Sequence, residues 1–352
     1  MNYAIILAGG IGSRFWPLSR KSRPKQFLSI CSKKPLIAET IKRIQPLVNK
    51  KNVYLAANSI HKQKIKGCLK GLNIATENIF FEPQGKNTFA PIAVLTNKIY
   101  SQDRDALIAV LPSDHFIKET PKFIASLSKA FAIAKYRYIV TMGIKPRRPE
   151  TGYGYIKARS RITIPGAGVC YKVEKFIEKP DKVKAKKFWK DSQYYWNSGI
   201  FVFKAEAMLQ EIRKLAPEAG KLVIEIDNAK DLERIWPKLP AISIDYAIME
   251  GTSKAVVLPT DYGWADIGSW QALAEILPQD KRDNVLMGEV YADANTSNTL
   301  VYGGRRLIAT VGLKDMIIVD TDDALLVCSR DRAQDIRKLN TAFKDNKLKK
   351  YL

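Results

Sequence analysis

The chain has 352 residues, of which 46% are apolar and 26% are charged. These fractions are typical of a soluble globular protein and exclude a low-complexity chain, and the length allows one large domain with an appendage or two domains. No apolar run approaches the ~18 residues of a membrane span, and the N-terminal residues lead directly into an apolar strand pattern without a signal-peptide pattern, so we predict a cytoplasmic protein with no membrane contact. The four cysteines stand far apart without a CxxC pair, which indicates reduced thiols and neither a disulfide framework nor a zinc site.

A formal net charge of +23 predicts attraction to polyanions. Nucleic-acid binding is therefore one possible function. The lysines and arginines are dispersed, as in "KKPLIAETIKRI" and "KVKAKKFWK", with no basic arm and no run of interleaved aromatic residues. Because dispersed cations are typical of a solvated surface, we predict no dedicated nucleic-acid partner.

Short apolar strand patterns alternate with helical patterns over the first 150 residues. The strand patterns are "YAIILA", "NVYLAAN", "NIFFEP", "ALIAVLP" and "YIVTMGI". This alternation predicts an α/β fold with a doubly wound, mostly parallel sheet. The loop after the first strand and Asp114 both follow carboxyl ends of predicted strands, where open α/β sheets bind ligands.

The alternation changes after residue 150. "TGYGYIKARSRI" and "GVCYKVEKFIEKP" read as an antiparallel insertion turning at residues 165–168, after which helices and strands continue the sheet. From about Asn284 the pattern becomes short alternating strands, followed by a helix-like run, "DRAQDIRKLNTAFKDNKLKKYL". We therefore predict a catalytic domain over residues 1–280 and a small β domain with a terminal helix over residues 281–352.

The stretch from Ile6 to Leu28, "ILAGGIGSRFWPLSRKSRPKQFL", combines glycines with arginines and lysines. Free backbone amides and close backbone approach are the means by which such loops cradle phosphates, although a solvated surface turn has the same composition. The third glycine of a dinucleotide-binding fingerprint is missing, and no Gly-Lys-Ser/Thr follows as in a Walker A loop. Neither standard phosphate loop therefore fits.

The loop instead closely resembles the signature of sugar-phosphate nucleotidylyltransferases, in the mannose-1-phosphate guanylyltransferase family. Its pattern is G-G-x-G-S-R-x-x-P-L-S-R followed by Pro24, Lys25 and Gln26. Seven further similarities follow in order: "FEPQGKNTFAPI", "LPSDHFI", "MGIKPRRPETGYGYI", "FIEKPD", "YYWNSGIFVF", "ISIDYAIME" and "GWADIGSW". The resemblance implies a Rossmann-like nucleotidyltransferase domain and, over "GLKDMIIVDTDDALLV", a short left-handed β-helix.

The resemblance also implies a reaction in which mannose 1-phosphate attacks the α-phosphorus of GTP in line, forming GDP-mannose and diphosphate. A phosphomonoester has its second pKa near ~6, so the attacking oxygen is already ionised at neutral pH and needs no side-chain base. Two polyanions must nevertheless be brought together, which requires metal ions and cationic side chains. By resemblance, Asp114 and Asp266 hold Mg²⁺, a cation that prefers hard oxygen ligands.

Further site residues follow from the resemblance, although each alone could be a surface cation or a packing residue. Arg14 and Lys25 would grip the departing phosphates, and Lys179 would bind the sugar phosphate. The sugar would contact Gly152, Tyr153, Glu178, Lys179, Asn197 and Ser198. The nucleotide would contact Leu7, Ala8, Gly9, Gly10, Gly12, Ser13, Gly85, Asn87 and Ser113. The chain departs from the family at Lys86 and Phe89, where Arg and Ala are usual, so the preference for guanine is an implication of overall similarity.

Three alternatives remain open at this point. The chain could use another hexose 1-phosphate or nucleotide, or it could be a non-catalytic subunit that binds sugar nucleotides, or it could bind nucleic acid through its charge. The presence of both metal-binding aspartates, with Arg14, Lys25 and Lys179, favours the enzyme. The β-rich C-terminal part also offers a possible surface for a homo-oligomer.

Overall fold

A computed structural model describes residues 1–10, 12–344 and 347–352. The strands up to residue 266 are β1 (Asn2–Ala8), β2 (Val53–Asn58), β3 (Ile79–Glu82), β4 (Leu107–Pro112), β5 (His115–Ile117), β6 (Ile139–Ile144), β7 (Tyr155–Ile164), β8 (Gly168–Ile177), β9 (Tyr194–Lys204), β10 (Ala255–Thr260) and β11 (Trp264–Asp266). Among the described residues, nine of them form one sheet in the order β3-β2-β1-β4-β9-β6-β10-β8-β7.

The half of this sheet from β3 to β4 is parallel, as the alternating pattern predicts. β1 pairs in parallel with β2 and with β4, and β2 pairs in parallel with β3. Residues 53–57 and 107–111 are buried because both faces of these strands are covered, which explains their continuous apolar sequences. The chain runs outward from β1 to β2 and β3 and then returns to the other side of β1, so the strand order reverses between β1 and β4.

The other half of the sheet, from β9 to β7, contains both parallel and antiparallel pairs. β9 is antiparallel to both β4 and β6, whereas β6 and β10 are parallel. The predicted antiparallel insertion is confirmed as the β7–β8 hairpin, whose turn contains Gly166 and Gly168 with positive φ angles. The hairpin extends the same sheet, because β8 pairs with β10 and β7 with β9.

The α-helices that lie between strands of the sheet connect them and supply apolar faces that cover the sheet. They are α1 (Leu36–Ile44), α2 (Lys62–Cys68), α3 (Phe89–Gln102), α4 (Thr120–Ala134), α5 (Lys182–Lys190), α6 (Ala205–Leu215), α7 (Pro217–Ile224) and α8 (Ala229–Ile235). Two further helices, α9 (Trp270–Ala274) and α10 (Leu339–Ala342), belong to the C-terminal part of the chain. α3 packs with α6 and α7 in a core that includes Phe89, Ile92 and Met208. Several helices begin at a side-chain cap, as at Asp181, whose carboxylate accepts a hydrogen bond from the Lys184 amide.

The C-terminal part consists of short strands in β-helix-like coils. They are β12 (Val285–Met287), β13 (Val290–Ala292), β14 (Leu300–Tyr302), β15 (Ile308–Thr310), β16 (Met316–Asp320) and β17 (Leu325–Ser329). β12, β14 and β16 stack in parallel, with Val285, Leu300 and Ile317 aligned in successive layers and buried. β13 and β15 form a second parallel pair, and β17 closes the first ladder in the antiparallel direction.

The predicted terminal helix is present as shorter pieces. A 3-10 helix spans Arg330–Lys338, α10 follows, and a second 3-10 helix spans Lys347–Tyr351. Residues 345 and 346 of the predicted helix lie outside the described residues. In the part of the chain that the structure describes, no helix combines the length and apolar character that a membrane crossing requires.

The chain folds into two compact units that do not follow sequence order. The first unit contains Met1–Gly9, Ala38–Ser113 and Ile117–Trp264. The second unit contains Gly10–Ile37, Asp114–Phe116 and Ala265–Leu352. The signature loop from Gly10 onward and Asp114 therefore belong to the same compact unit as the C-terminal coils. The domain boundary at residue 280 stays a prediction.

Candidate functional site

Several predicted nucleotide contacts of the first unit lie at the carboxyl ends of β1 and β4, the two strands between which the strand order reverses. Leu7 and Ala8 end β1, Gly9 follows them, and Ser113 follows β4. The Ser113 amide donates a 3.0 Å hydrogen bond to the Leu7 carbonyl, which joins the two strand ends. In open α/β sheets this edge is the position of the ligand crevice.

The segment after β3 contributes to the same unit. Asn87 has a positive φ of 61°, and its side-chain oxygen accepts a hydrogen bond from the Thr88 amide. The Lys86 ammonium donates 2.8 Å hydrogen bonds to the carbonyls of Pro237 and Leu239. Lys86 therefore ties this segment to the chain near residue 238, and Gly85 and Asn87 lie on either side of that tie.

Glu82, at the end of β3, is a buried carboxyl group that the sequence analysis did not single out. It is 5% exposed, and its Oε1 lies 3.7 Å from where a Cβ on Gly9 would be. Burial raises the pKa of Glu82 to about 7, although a hydrogen bond from the Lys86 amide acts in the opposite direction. Its sequence signal is the "FEP" at a strand end.

From Gly10 onward the signature loop lies in the second unit, where it folds around Gly12. Gly12 has a φ of 72°, and a Cβ added there would come within 2.5 Å of the Lys25 Cβ. Its carbonyl accepts hydrogen bonds from the Phe15 amide and the Ser19 hydroxyl. A 3-10 turn over Ser13–Phe15 follows. Gly12 therefore serves the close packing of the loop on Lys25, a requirement that only glycine meets without displacement.

Lys25 lies between the two predicted metal-binding aspartates. Its side chain is 4% exposed, and its Nζ lies 2.8 Å from Asp114 Oδ2 and 3.5 Å from Asp266 Oδ1. The ammonium also donates a hydrogen bond to the Ile267 carbonyl. The second unit thus brings together three residues that are far apart in sequence. Asp114 and Asp266 keep about a third of their side-chain surface exposed.

The pKa values of Lys25 and Asp114 reflect this pairing. Burial acts to lower the pKa of Lys25, but Asp114 and Asp266 outweigh it and raise the pKa above its usual value. Burial acts to raise the pKa of Asp114, but the charges of Lys25 and His115 hold it below its ordinary range. Lys25 and Asp114 are therefore both ionised at neutral pH.

Arg14 lies at the same cluster. A Cβ built on Gly268 would be 3.3 Å from Asp266 Oδ2 and 3.6 Å from Nη1 of Arg14. The two side chains therefore flank Gly268, which follows Asp266 closely through a hydrogen bond from its amide to the Asp266 carbonyl. Arg14, Lys25, Asp114 and Asp266 form one charged cluster, which we call the aspartate–lysine cluster.

The C-terminal segment packs on the signature loop within the second unit. Arg20 forms a bidentate ion pair with Asp323, with both N–O distances at 2.6 Å. The indole of Trp16 donates to the Tyr351 carbonyl at 2.8 Å, and the indole of Trp270 donates to the Trp16 carbonyl at 3.1 Å. The last "SR" of the signature thus has a structural partner more than 300 residues away.

The predicted sugar contacts Glu178, Lys179 and Asn197 come together in the first unit. The Lys179 ammonium lies 2.5 Å from Glu178 Oε1. A Cβ on Gly154 would be 2.6 Å from Glu178 Oε2 and 3.3 Å from the Asn197 Cβ. The backbone amide of Asn197 donates to the Gly154 carbonyl at 2.8 Å. Gly154 is therefore the point at which Glu178 and Asn197 meet; the "GYGY" run was its signal.

Asp245 is a further member of this group. Its Oδ1 accepts a 2.9 Å hydrogen bond from Nδ2 of Asn197. Burial and, secondarily, the charge of Glu178 raise the pKa of Asp245 to about 6. Burial acts to lower the pKa of Lys179, but Glu178 and Asp245 outweigh it and raise the pKa.

The remaining predicted sugar contacts are placed differently. The Gly152 amide donates to Glu150 Oε1 at 2.9 Å. The Tyr153 ring packs edge-on against Trp196 and Trp264, with centroid distances of 5.3 and 5.2 Å. Ser198 is 1% exposed, and its hydroxyl donates to the Met142 carbonyl. Ser198 is therefore engaged in the sheet, whereas Gly152 and Tyr153 form a turn stiffened by aromatic packing.

The comparisons with known proteins agree with this architecture. A nucleotidyl transferase family model matches residues 3–283, and a MannoseP isomerase/GMP-like β-helix domain model matches residues 291–341. The fold and the family match define a nucleotidyltransferase: the chain belongs to the nucleotidyl transferase family.

Among its relatives, the chain is 38% identical to a mannose-1-phosphate guanylyltransferase of Klebsiella pneumoniae, over 99% of this chain and 75% of that protein. It is 40% identical to the xanthan biosynthesis protein XanB of Xanthomonas campestris, over 97% of this chain and 73% of that protein. A solved structure from Thermus thermophilus, described as a mannose-1-phosphate geranyltransferase, matches with a TM-score of 0.88 and 31% identity, over 97% of this chain and 99% of that one.

Proposed function

We propose that this chain is a mannose-1-phosphate guanylyltransferase, which converts GTP and α-D-mannose 1-phosphate to GDP-mannose and diphosphate. The observation that carries the proposal is similarity to a mannose-1-phosphate guanylyltransferase over 99% of the chain. The aspartate–lysine cluster supports it, because a reaction between two polyanions needs cations and metal-binding carboxylates.

We assign the residues as follows. Arg14 and Lys25 neutralise the departing β- and γ-phosphates, with Arg14 acting as a planar fork and Lys25 as a compact charge. The sugar phosphate is held by Lys179, and its hydroxyls by Glu178 and Asn197. The loop residues Gly9, Gly10, Gly12 and Ser13 receive the nucleotide phosphates. No side chain has to remove a proton, since the attacking phosphate oxygen is already ionised.

Asp114 and Asp266 fit a magnesium ion. Both are carboxylates, about a third of each side chain is exposed, and the two are close enough to share the Lys25 ammonium. A hard cation with hydrated positions accepts a few such ligands together with phosphate oxygens and water. When bound, Mg²⁺ would neutralise phosphate charge, and Lys25 would exchange part of its pairing with the aspartates for contact with phosphate.

The direct test is to incubate the protein with GTP, mannose 1-phosphate and Mg²⁺ and to measure diphosphate and GDP-mannose. Asp266→Asn should keep the fold, since the volume is unchanged, and should lower kcat by at least about a hundredfold. The matched control is Asp261→Asn. Asp261 precedes Asp266 by five residues and its side chain is 81% exposed, so this variant removes the same charge from the surface. Equal kcat in the Asp266→Asn variant and the parent would remove Asp266 from the site.

The same assay separates the alternatives. Competition with glucose 1-phosphate, UTP and dTTP tests for another sugar or nucleotide. A non-catalytic sugar-nucleotide-binding subunit would bind GDP-mannose without turnover, and a nucleic-acid protein would keep sequence-specific affinity at physiological salt. The cytoplasmic location and a homo-oligomer through the C-terminal coils stay predictions; size-exclusion chromatography with light scattering tests the latter.

A further inference from the structure

The segment "ISIDYAIME" is part of the family resemblance, but none of the roles assigned above falls on it. In the structure, Asp245 begins a π-helix that spans Asp245–Met249. Such turns are rare and occur frequently at functional sites. Asp245 is half-buried, and its side chain points to the group formed by Glu178, Lys179 and Asn197.

We propose that Asp245 is a positioning residue of the sugar-phosphate subsite, where it fixes the Asn197 carboxamide so that Asn197 can act only as a hydrogen-bond donor. This inference rests on the proposed function. It concerns one residue outside the sugar contacts predicted from the sequence, and it assigns a direction to the hydrogen bond that Asn197 makes with the sugar.

The hydrogen bonds around Asn197 determine its orientation. Its Oδ1 accepts from the Gly199 amide at 3.0 Å and from the Thr141 hydroxyl at 3.2 Å. A carbonyl oxygen has two lone pairs, so these two donors use its accepting capacity. Its Nδ2 donates to Asp245 Oδ1. A carboxylate can only accept, so a flipped amide would place oxygen against oxygen.

Among the hydrogen bonds of the described residues, Asn197 Nδ2 uses one of its two N–H groups on Asp245. The second N–H can therefore donate to a ligand. Glu178, which meets Asn197 at Gly154, supplies an acceptor, and Lys179 supplies a cation. The subsite therefore offers one carboxamide donor, one carboxylate acceptor and one ammonium. Sugar hydroxyls can both donate and accept, and the phosphate requires the cation. This combination of groups suits a hexose 1-phosphate.

The test compares Asp245→Leu with Asp245→Asn in the parent chain, measuring KM separately for mannose 1-phosphate and for GTP. Leucine cannot accept the hydrogen bond, so KM for mannose 1-phosphate should rise roughly tenfold or more while KM for GTP stays within about twofold. Asparagine keeps an accepting oxygen and should restore KM to within about threefold of the parent. The control is Asp227→Leu at an exposed position, which should change neither value.

Asn197→Ala and the double variant Asn197→Ala with Asp245→Leu decide whether Asp245 acts through Asn197. The double variant should resemble Asn197→Ala, since the positioned group is already absent. Fully additive effects would overturn the proposal, as would an unchanged sugar-phosphate KM in a folded Asp245→Leu variant, or equal rises for both substrates. If Asp245→Leu does not fold, Asp245→Ala gives the same comparison, because alanine also has no side-chain acceptor. An inactive parent would instead reject the proposed function.

Discussion

The carboxyl group of Glu82 shows how one buried residue makes the stability of this fold depend on pH. Its pKa is raised from 4.5 to about 7 by burial, so the folded state binds a proton that the unfolded state releases. The folding contribution of Glu82 is therefore most favourable below about pH 4.5 and is lost as the pH rises through about 7. Above pH 7 the fold contains a buried carboxylate, which is unfavourable.

Glu82→Gln should accordingly stabilise the protein at pH 8, by about 3 kcal/mol at most, because each unit of pKa shift corresponds to about 1.4 kcal/mol. The gain should fall steadily between pH 7 and pH 5. Urea denaturation at pH 8 and pH 5.5 measures both effects. Glu77→Gln is the matched control, since Glu77 is exposed on the preceding turn. A stabilisation that is equal at both pH values would contradict the assigned pKa.

At the scale of elements, the signature loop depends on contacts made inside it. Gly12→Ala would place a methyl group on the Lys25 Cβ and force a side chain into a positive φ. We expect a loss of about 1 to 3 kcal/mol in stability and at least a tenfold loss in kcat, because Lys25 would leave its position between the aspartates. Circular dichroism melts and steady-state kinetics measure the two effects.

Gly10→Ala is the control for Gly12→Ala. Apart from its two chain neighbours, no heavy atom of the described residues lies within 4 Å of where a Cβ on Gly10 would be. Its thermal stability should therefore match the parent within about 0.5 kcal/mol, the range of ordinary surface changes. If both variants lose stability equally, the contact between Gly12 and Lys25 is not the cause.

Local sequence patterns predicted the elements better than their long-range partners. The apolar runs of β1, β2 and β4 and the turn at Gly166 are local signals, and the structure confirms them. The insertion of β9 between β4 and β6 depends on pairing between distant segments, which has no local signal. The same holds for Asp245, since a π-helical turn and an ordinary helical turn share one apolar pattern.

The position of Lys25 shows the same limit within the candidate site. The resemblance singled out Lys25, Asp114 and Asp266 and implied roles for them. It did not indicate that Lys25 is 4% exposed and paired with both aspartates. That arrangement arises because the segments around residues 25, 114 and 266 enter one compact unit, a property of the tertiary fold.

For the molecule as a whole, the second unit joins the signature loop to the C-terminal coils through one apolar core. Phe15, Leu28 and Trp270, each at most 1% exposed, pack in the same cluster as Val285, Leu300 and Ile317. This cluster crosses the boundary that the sequence predicts at residue 280. Removing everything after residue 280 would therefore expose large side chains near the aspartate–lysine cluster.

A chain of residues 1–280 should accordingly lose GTP binding and expose apolar surface, since burial of each large side chain contributes about 1.5 to 3 kcal/mol. Fluorescence of a dye that binds apolar surface, together with calorimetric titration of GTP, measures both properties against the full chain. Cooperative unfolding combined with parent-like GTP affinity in the shorter chain would show that the C-terminal coils are dispensable for the loop.

The ion pair between Arg20 and Asp323 and the hydrogen bond from Trp16 to the Tyr351 carbonyl also bear on the order of events during synthesis. A ribosome releases the signature loop more than 300 residues before Asp323 and Tyr351, so the loop lacks these two contacts until that later segment has been translated. A chain that stops before residue 323 would thus leave Arg20 and the Trp16 indole without these partners, even where the contacts inside the loop have formed.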